Sequence, residues 1–325
     1  MNSGILTCKL CGQLVDQLNH FYREHKLKLE EYLANYEKRV DLFDSSLIQY
    51  KGNIENYLLT DFNNKNNLKG WLKAQTLDEQ KRYCRELLQK RKDKKQLRYA
   101  PTQVELRSIL SPNIIFLDKI FKDEGGYYNI CQQLGFIVKH KQQINKETKI
   151  VLGSEYQNGN YSILVDTREQ SSLKLKDFPH EVRKLDFGDY GFSAPGKCGN
   201  IFVERKSISD FLSTLSSGYE RFEREIQRAK MAGAYLIVLV EEPMTNALSF
   251  PYLPHVSKKI KITVDYLFHN VRELLQKYDN LQFAFCDGRR DMEEMIKTIF
   301  FSGGVFREID LQLAIDLKIV GGETK

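Results

Sequence analysis

Three short strings in the second half of the chain put chemistry-bearing side chains close together: VDTRE at 165–169, LDFGDY at 185–190 and VERKSISD at 203–210. They contain the carboxylates Asp166, Asp189, Glu204 and Asp210, with Lys206, Arg168 and Arg205 between them. Carboxylates beside a lysine can hold a hard divalent cation and hydrolyse a phosphodiester. The acids supply oxygen ligands, and the ammonium holds the attacking water or the phosphate charge. A planar guanidinium can clamp phosphate oxygens.

The elements that must position these groups follow from local pattern. Ile201-Phe202-Val203 is apolar, β-branched and aromatic, and it reads as a buried strand. Side chains alternate along a strand, so Glu204 and Lys206 share one face and Arg205 takes the other. Gly188 permits a tight bend that aims Asp189, and Tyr190-Gly191-Phe192 continues as a hairpin strand beside Glu204. Asp166 closes the apolar run Ile163-Leu164-Val165. Each residue also has a plainer role. Asp210 fits a capping box, since Ser207-x-x-Asp210 precedes an apolar helical run. Asp189 alone is an ordinary turn residue. Glu204 and Lys206 are equally an exposed pair on an edge strand, and Arg205 an ion-pair partner for an acid on the other face.

Taken in order, the strings resemble the nuclease domain of the XPF/Mus-type structure-specific endonucleases, a branch of the restriction-endonuclease-like nucleases. GDY at 188–190, ERK at 204–206, Asp210, and Asp166, Arg168 and Glu169 match that signature without substitution. The resemblance spans 158–302 and implies an α/β fold, a mixed sheet flanked by helices. It implies an endonuclease dependent on Mg²⁺ or Mn²⁺ that cuts branched or flapped DNA, in repair, recombination or phage DNA processing. In that reading Asp189 and Glu204 ligate the metal, with Asp166 as a further acid. Lys206 orients water or stabilises charge, Arg168 and Arg205 support phosphate binding or site geometry, and Asp210 and Glu169 stand behind them. The resemblance also suggests a homodimer through the nuclease domain, although the tandem helix-hairpin-helix module that usually follows has no room in 303–325, read as a tail. A non-cleaving DNA scaffold and a zinc-finger regulator are the alternatives; no acid of the signature is missing, which argues against the scaffold.

The flanking text supports the alternation of strand and helix: a charged helix at 219–230, an apolar strand at 236–240, a helix at 265–278, a strand at 281–285 and a helix at 289–301. In the front half, Cys8-x2-Cys11-x8-His20-x4-His25 has spacing suited to a structural zinc. Its Cys–His gap is shorter than the usual gap of about twelve, and it resembles the compact finger of Ros/MucR-type regulators. We place this finger at 1–36, a basic helical region at 37–100 and a small helical, helix-turn-helix-like module at 101–148. From Lys81 to Arg98 nine bases (Lys81, Arg82, Arg85, Lys90, Arg91, Lys92, Lys94, Lys95, Arg98) face only Glu86 and Asp93. Such a run is a solvated helix face or a phosphate-binding stripe, and we favour the stripe.

The chain of 325 residues has a net charge of +6, distributed unevenly. Residues 1–150 carry 26 Lys+Arg against 18 Asp+Glu, a net of +8, whereas 151–325 carry 23 against 25, a net of −2. This predicts that the front half holds DNA and the back half cuts it. No stretch approaches the roughly 18 apolar residues of a membrane span, there is no signal-peptide pattern, and no nucleotide cofactor is called for. Six cysteines without a disulfide framework point to a reducing compartment. The expected location is cytoplasmic: the nucleoid, host cytoplasm for a phage protein, or the nucleus in a eukaryote.

Overall fold

The computed structural model describes residues 6–7, 11, 14–15, 24–26, 76–95, 98–109, 113–138, 161–175, 178–194, 197–257, 260–301, 305–307 and 309–320. The chain divides into two compact units, Met1–Thr76 and Leu77–Lys325. In the first, strands β1 (Leu6–Thr7) and β2 (Leu14–Val15) pair antiparallel with Leu6 opposite Val15. Of the four expected zinc ligands, Cys8 and His20 lie outside the described residues; Cys11 is exposed and His25 half-buried.

The second unit is built on a mixed sheet. Its strands are β3 (Ser162–Asp166), β4 (His180–Arg183), β5 (Tyr190–Ala194), β6 (Lys197–Cys198), β7 (Ile201–Lys206), β8 (Tyr235–Val240) and β9 (Leu281–Phe285). The order is β4-β3-β5-β7-β8-β9, with β6 paired to β5. Strand β5 runs antiparallel to both β3 and β7, whereas β7, β8 and β9 are mutually parallel. Every residue of β8 and β9 is buried, as uninterrupted apolar runs in a parallel sheet require. The edge strand β4, HEVR, is exposed at every position, and its charges discourage edge-to-edge pairing.

Helices cover both faces. On one, α5 (Ile208–Thr214) and α8 (Val264–Lys277) bring Phe211 and Phe268 against Phe283 and Phe285. Helices α6 (Tyr219–Met231) and α7 (Met244–Ala247) add Phe222, Ile226, Met244 and Ala247 to that core. On the other, α9 (Arg289–Phe301) stacks Phe300 on Phe192 of β5 and sets Phe301 edge-on to the same ring. Mixed strands flanked by helices are therefore the architecture, as expected.

The helices before the sheet belong to the same unit. These are α1 (Leu77–Lys95), α2 (Gln103–Ile109), α3 (Ile114–Ile120) and α4 (Gly126–Gln133). Arg272 of α8 donates to the Ser108 carbonyl, and Gln276 donates to Glu105. Residues 303–325 hold more than a tail: α10 (Leu311–Asp316) buries Leu311, Leu313 and Ala314. Its N-cap Asp310 accepts from the Leu313 and Gln103 amides, and Arg107 pairs with Asp316 at 3.1 Å. The outer edge of β9 is closed by side-chain amides. Gln282, 3% exposed, donates to the carbonyls of Phe306 and Ile309 and accepts from the Leu311 amide at 3.0 Å. Gln312 accepts from the Phe285 amide.

Gln282→Leu strips partners from three buried backbone groups. Urea unfolding should show a loss of roughly 3–5 kcal/mol; a loss below about 1 kcal/mol would mean that the C-terminal segment does not depend on this side chain.

Candidate nuclease site

The site grows out of the turn before β5. Gly188 sits at φ +61°, and a Cβ there would lie 2.8 Å from the Val203 carbonyl oxygen, so the turn needs glycine. The next residue is fastened to two strands at once. The Asp189 amide donates to Val203 of β7, and its carbonyl accepts from the Asp166 amide of β3, each at 2.8 Å. The Arg205 amide then donates to Asp189 Oδ2 at 2.8 Å and fixes the carboxylate beside the end of β7. Burial first, and then the negative charge of Glu204, push the Asp189 carboxyl up to about 7 against the pull of that amide.

Strand alternation divides β7 as expected. Lys206 Nζ donates to Glu204 Oε1 at 2.5 Å, and both side chains are mostly buried, 14% and 13% exposed. Because β7 is flanked by β5 and β8, the pair does not sit on a sheet edge. The Lys206 ammonium also lies 5.7 Å from the Phe222 ring centroid on α6. On the opposite face, Arg205 pairs with Glu169 at 3.1 Å and with Glu241 at 3.0 Å, and is 10% exposed. Glu241 is also 3.9 Å from Arg289, whose guanidinium reaches the carbonyls of Ser171 and Ser172. In this arrangement Arg205 braces the loop after β3, the ion-pair role that its position on the other face of the strand allows.

Asp166 differs from the expected metal acid. Its side chain is 1% exposed and both oxygens are occupied. Oδ1 accepts from the Arg168 amide and Nε, and Oδ2 from Arg168 Nη2 and the Leu185 amide. Burial raises its carboxyl, but the Arg168 guanidinium and the two amides outweigh this and hold it below the usual range. A carboxylate so filled is an anchor for Arg168, not an open ligand. Arg168 itself is 65% exposed, and its charge reaches both Asp189 and Glu225. Asp210 is exposed and shares the Ser207 hydroxyl at the start of α5, with Ser207 as N-cap; it serves the cap.

The basic run is spent differently from a continuous stripe. Lys81 pairs with Asp123 and Glu124, Arg85 with Glu124, and Arg82 with Glu86. Lys92 donates to the Leu134 carbonyl beyond α4. Lys81, Arg85 and Lys92 are thus engaged inside the helical module, whereas Arg82, 63% exposed in its pair with Glu86, keeps a solvent-facing charge. Arg98 is exposed; the side chains of Lys90, Arg91, Lys94 and Lys95 lie outside the described residues.

Sequence reasoning missed Glu225. Helix α6 carries it one turn beyond Phe222, and it feels Glu204, Lys206 and Arg168. The sequence clue is an acid flanking Ile226 on the helix face that must pack down, where a solvent-facing charge is out of place. Among the described residues, no three His, Cys, Asp or Glu side chains converge on a ready metal cage. The acids of the site meet as a pair, Asp189 and Glu204.

Asp189, Glu204 and Lys206 are gathered around one end of β7 in the mixed sheet. Residues 165–296, which include them, match the family model of the ERCC4 domain. The solved structure of XPF from Aeropyrum pernix in complex with DNA is similar at 20% identity, over 46% of this chain and 68% of that one, with a TM-score of 0.34. A second structure of XPF from Aeropyrum pernix is similar at 18% identity, over 49% of this chain and 69% of that one, with a TM-score of 0.31. No curated protein matches the sequence. No helix among the described residues is long and apolar enough to cross a membrane.

Two outcomes test the geometry. Gly188→Ala forces a Cβ onto the Val203 carbonyl in left-handed backbone, and thermal or urea unfolding should show a loss of roughly 1–3 kcal/mol. Wild-type stability would mean that the turn is not held as described. Asp189 has its folded pKa raised above the unfolded value, so its contribution to stability is complete below about pH 4 and is lost as pH rises through about 7. Asp189→Asn stays neutral throughout. In EDTA it should exceed wild type by roughly 1–2 kcal/mol at pH 8, after allowing for solvent screening of a half-buried group, with the gain vanishing near pH 4. An equal gap at both pH values would assign the effect to packing instead.

Proposed function

We propose that this chain is a divalent-metal-dependent DNA endonuclease that hydrolyses phosphodiester bonds in branched or flapped DNA. The observation that carries the reading is the meeting of Asp189 and Glu204 beside Lys206 and Arg168, within the segment that matches the ERCC4 domain. The donor set fits Mg²⁺ or Mn²⁺. Mg²⁺ commonly takes one or two carboxylates from protein and fills its shell with water and phosphate oxygens. Burial, and then the charge of Glu204, raise the Asp189 carboxyl to about 7, and a cation at the pair would offset both.

When bound at Asp189 and Glu204, the metal supplies Lewis-acid charge to the scissile phosphate and acidifies a water. The protein's own groups do the rest. The Arg205 amide keeps Asp189 aimed at the site. Lys206 holds a proton-rich ammonium beside Glu204, where water or a phosphate oxygen would be bound. Arg168, anchored by Asp166, presents its exposed side chain for a phosphate. Arg205, Glu169, Glu241 and Arg289 hold the loop after β3 in register with β7. The front half, with its net positive charge, grips DNA in a salt-dependent manner. A zinc-bound finger at Cys8, Cys11, His20 and His25 and pairing of two nuclease domains are proposed from sequence spacing and family resemblance alone.

The test is cleavage of labelled duplex, flap, fork and four-way-junction DNA with Mg²⁺, Mn²⁺ or EDTA. Asp189→Ala and Glu204→Gln should lose at least roughly 10²–10³-fold in cutting rate while keeping DNA affinity. Either variant cutting at the wild-type rate overturns the site, and binding without cutting on every substrate favours a scaffold.

A further inference from the structure

The Lys206 ammonium rests on the carboxylate that a metal would need. Its 2.5 Å contact is with Oε1 of Glu204, so a cation and the ammonium compete for the same oxygens. An ammonium displaced into a mostly buried pocket requires another counter-charge, because isolated buried charge is costly. Helix α6 supplies one. Phe222 lies 5.7 Å below the ammonium, and Glu225 follows one helical turn later on the same face.

Glu225 is set apart from the other acids of its helix. Glu220 lies 3.9 Å from Arg224, and Glu223 holds Lys277 at 2.5 Å. No hydrogen bond or ion pair among the described residues engages the half-buried Glu225 carboxylate. Burial, and then the charge of Glu204, raise its carboxyl, whereas Lys206, Arg228 and Arg168 pull it down. An acid without a fixed partner, within the field of a lysine that must change partners, is placed to receive it.

We propose that Glu225 is a positioning residue that takes the Lys206 ammonium from Glu204 when a divalent cation occupies the Asp189–Glu204 pair. This rests on the nuclease reading for its metal, but not on cleavage for its test. The lysine then keeps a defined place beside the ion instead of competing with it, and Glu204 turns both oxygens to the metal.

The experiment is a Mn²⁺ titration of the full chain, followed by electron paramagnetic resonance, as a double-mutant cycle: wild type, Glu225→Gln, Lys206→Met and the double variant. Glu225→Gln should weaken Mn²⁺ about fivefold in the wild-type background, the scale of one partly screened ion pair. In the Lys206→Met background the same change should shift affinity by less than about twofold, because the competing ammonium is gone. Circular dichroism confirms that each variant is folded; should Lys206→Met unfold, Lys206→Gln takes its place in the cycle. An unchanged affinity for Glu225→Gln overturns the proposal. So does an equal loss in both backgrounds, which would mean that Glu225 acts on the ion by its own charge. Failure of wild type to bind Mn²⁺ overturns it as well. Cleavage measured in parallel separates the two readings: coupling without cutting sinks the nuclease and leaves the positioning role standing.

Discussion

The structure turns on the way one residue is held. Asp189 gives its amide to β7 and its carbonyl to β3, and its side chain takes the amide of Arg205. Strand β5 begins at the next residue, so the register of the antiparallel center of the sheet and the aim of the carboxylate are set together. A one-residue slip in β7 would exchange the faces of Glu204, Arg205 and Lys206 and dismantle the site. Gly188 makes the arrangement possible because the approach to Val203 leaves no room for a Cβ.

Around that residue, opposite charges are spent where the fold must be rigid and left unbalanced where chemistry is proposed. Behind β7, Arg205 bridges Glu169 and Glu241, tying the loop after β3 to the end of β8. Buried pairs of this kind add little net stability, but removing one partner strands the other and is costly, so they fix geometry strongly. In front of β7, the acids Asp189, Glu204 and Glu225 face Lys206 and Arg168, and the carboxyls of Asp189 and Glu225 are both pushed upward by burial and by Glu204. Carboxyls held in this way lower the stability of the isolated protein as they ionise.

Much of this was legible from sequence. The strands at β7, β8 and β9 and the helices α6, α8 and α9 follow apolar runs and helical spacing that the core uses directly. The opposite faces of Glu204 and Arg205 follow from strand alternation alone. What the sequence left open was which partner each charge would take. Asp166 at a strand end and Asp189 in a turn both read as candidate metal acids, yet Asp166 folds back onto Arg168 and the Leu185 amide while Asp189 stays beside Glu204. That difference depends on the path of the loop between β3 and β5, which spacing does not specify. Edge strand β4 was equally hidden, because HEVR lacks the apolar alternation that marks a half-buried strand.

The same limit governs the basic helix α1. Nine bases against two acids from Lys81 to Arg98 suggest a surface for DNA, but the acids that matter are distant in sequence. Asp123 and Glu124 lie on the turn after α3, and they draw in Lys81 and Arg85. Net charge survives this pairing as a long-range field, since the front half still carries its excess. Specific phosphate contacts do not survive it, because an ammonium committed to two carboxylates must be released before it can hold a phosphate. Charge counts therefore support a long-range electrostatic field, whereas the partner of each base is set by folding: Arg168, for example, is anchored on Asp166 yet remains 65% exposed.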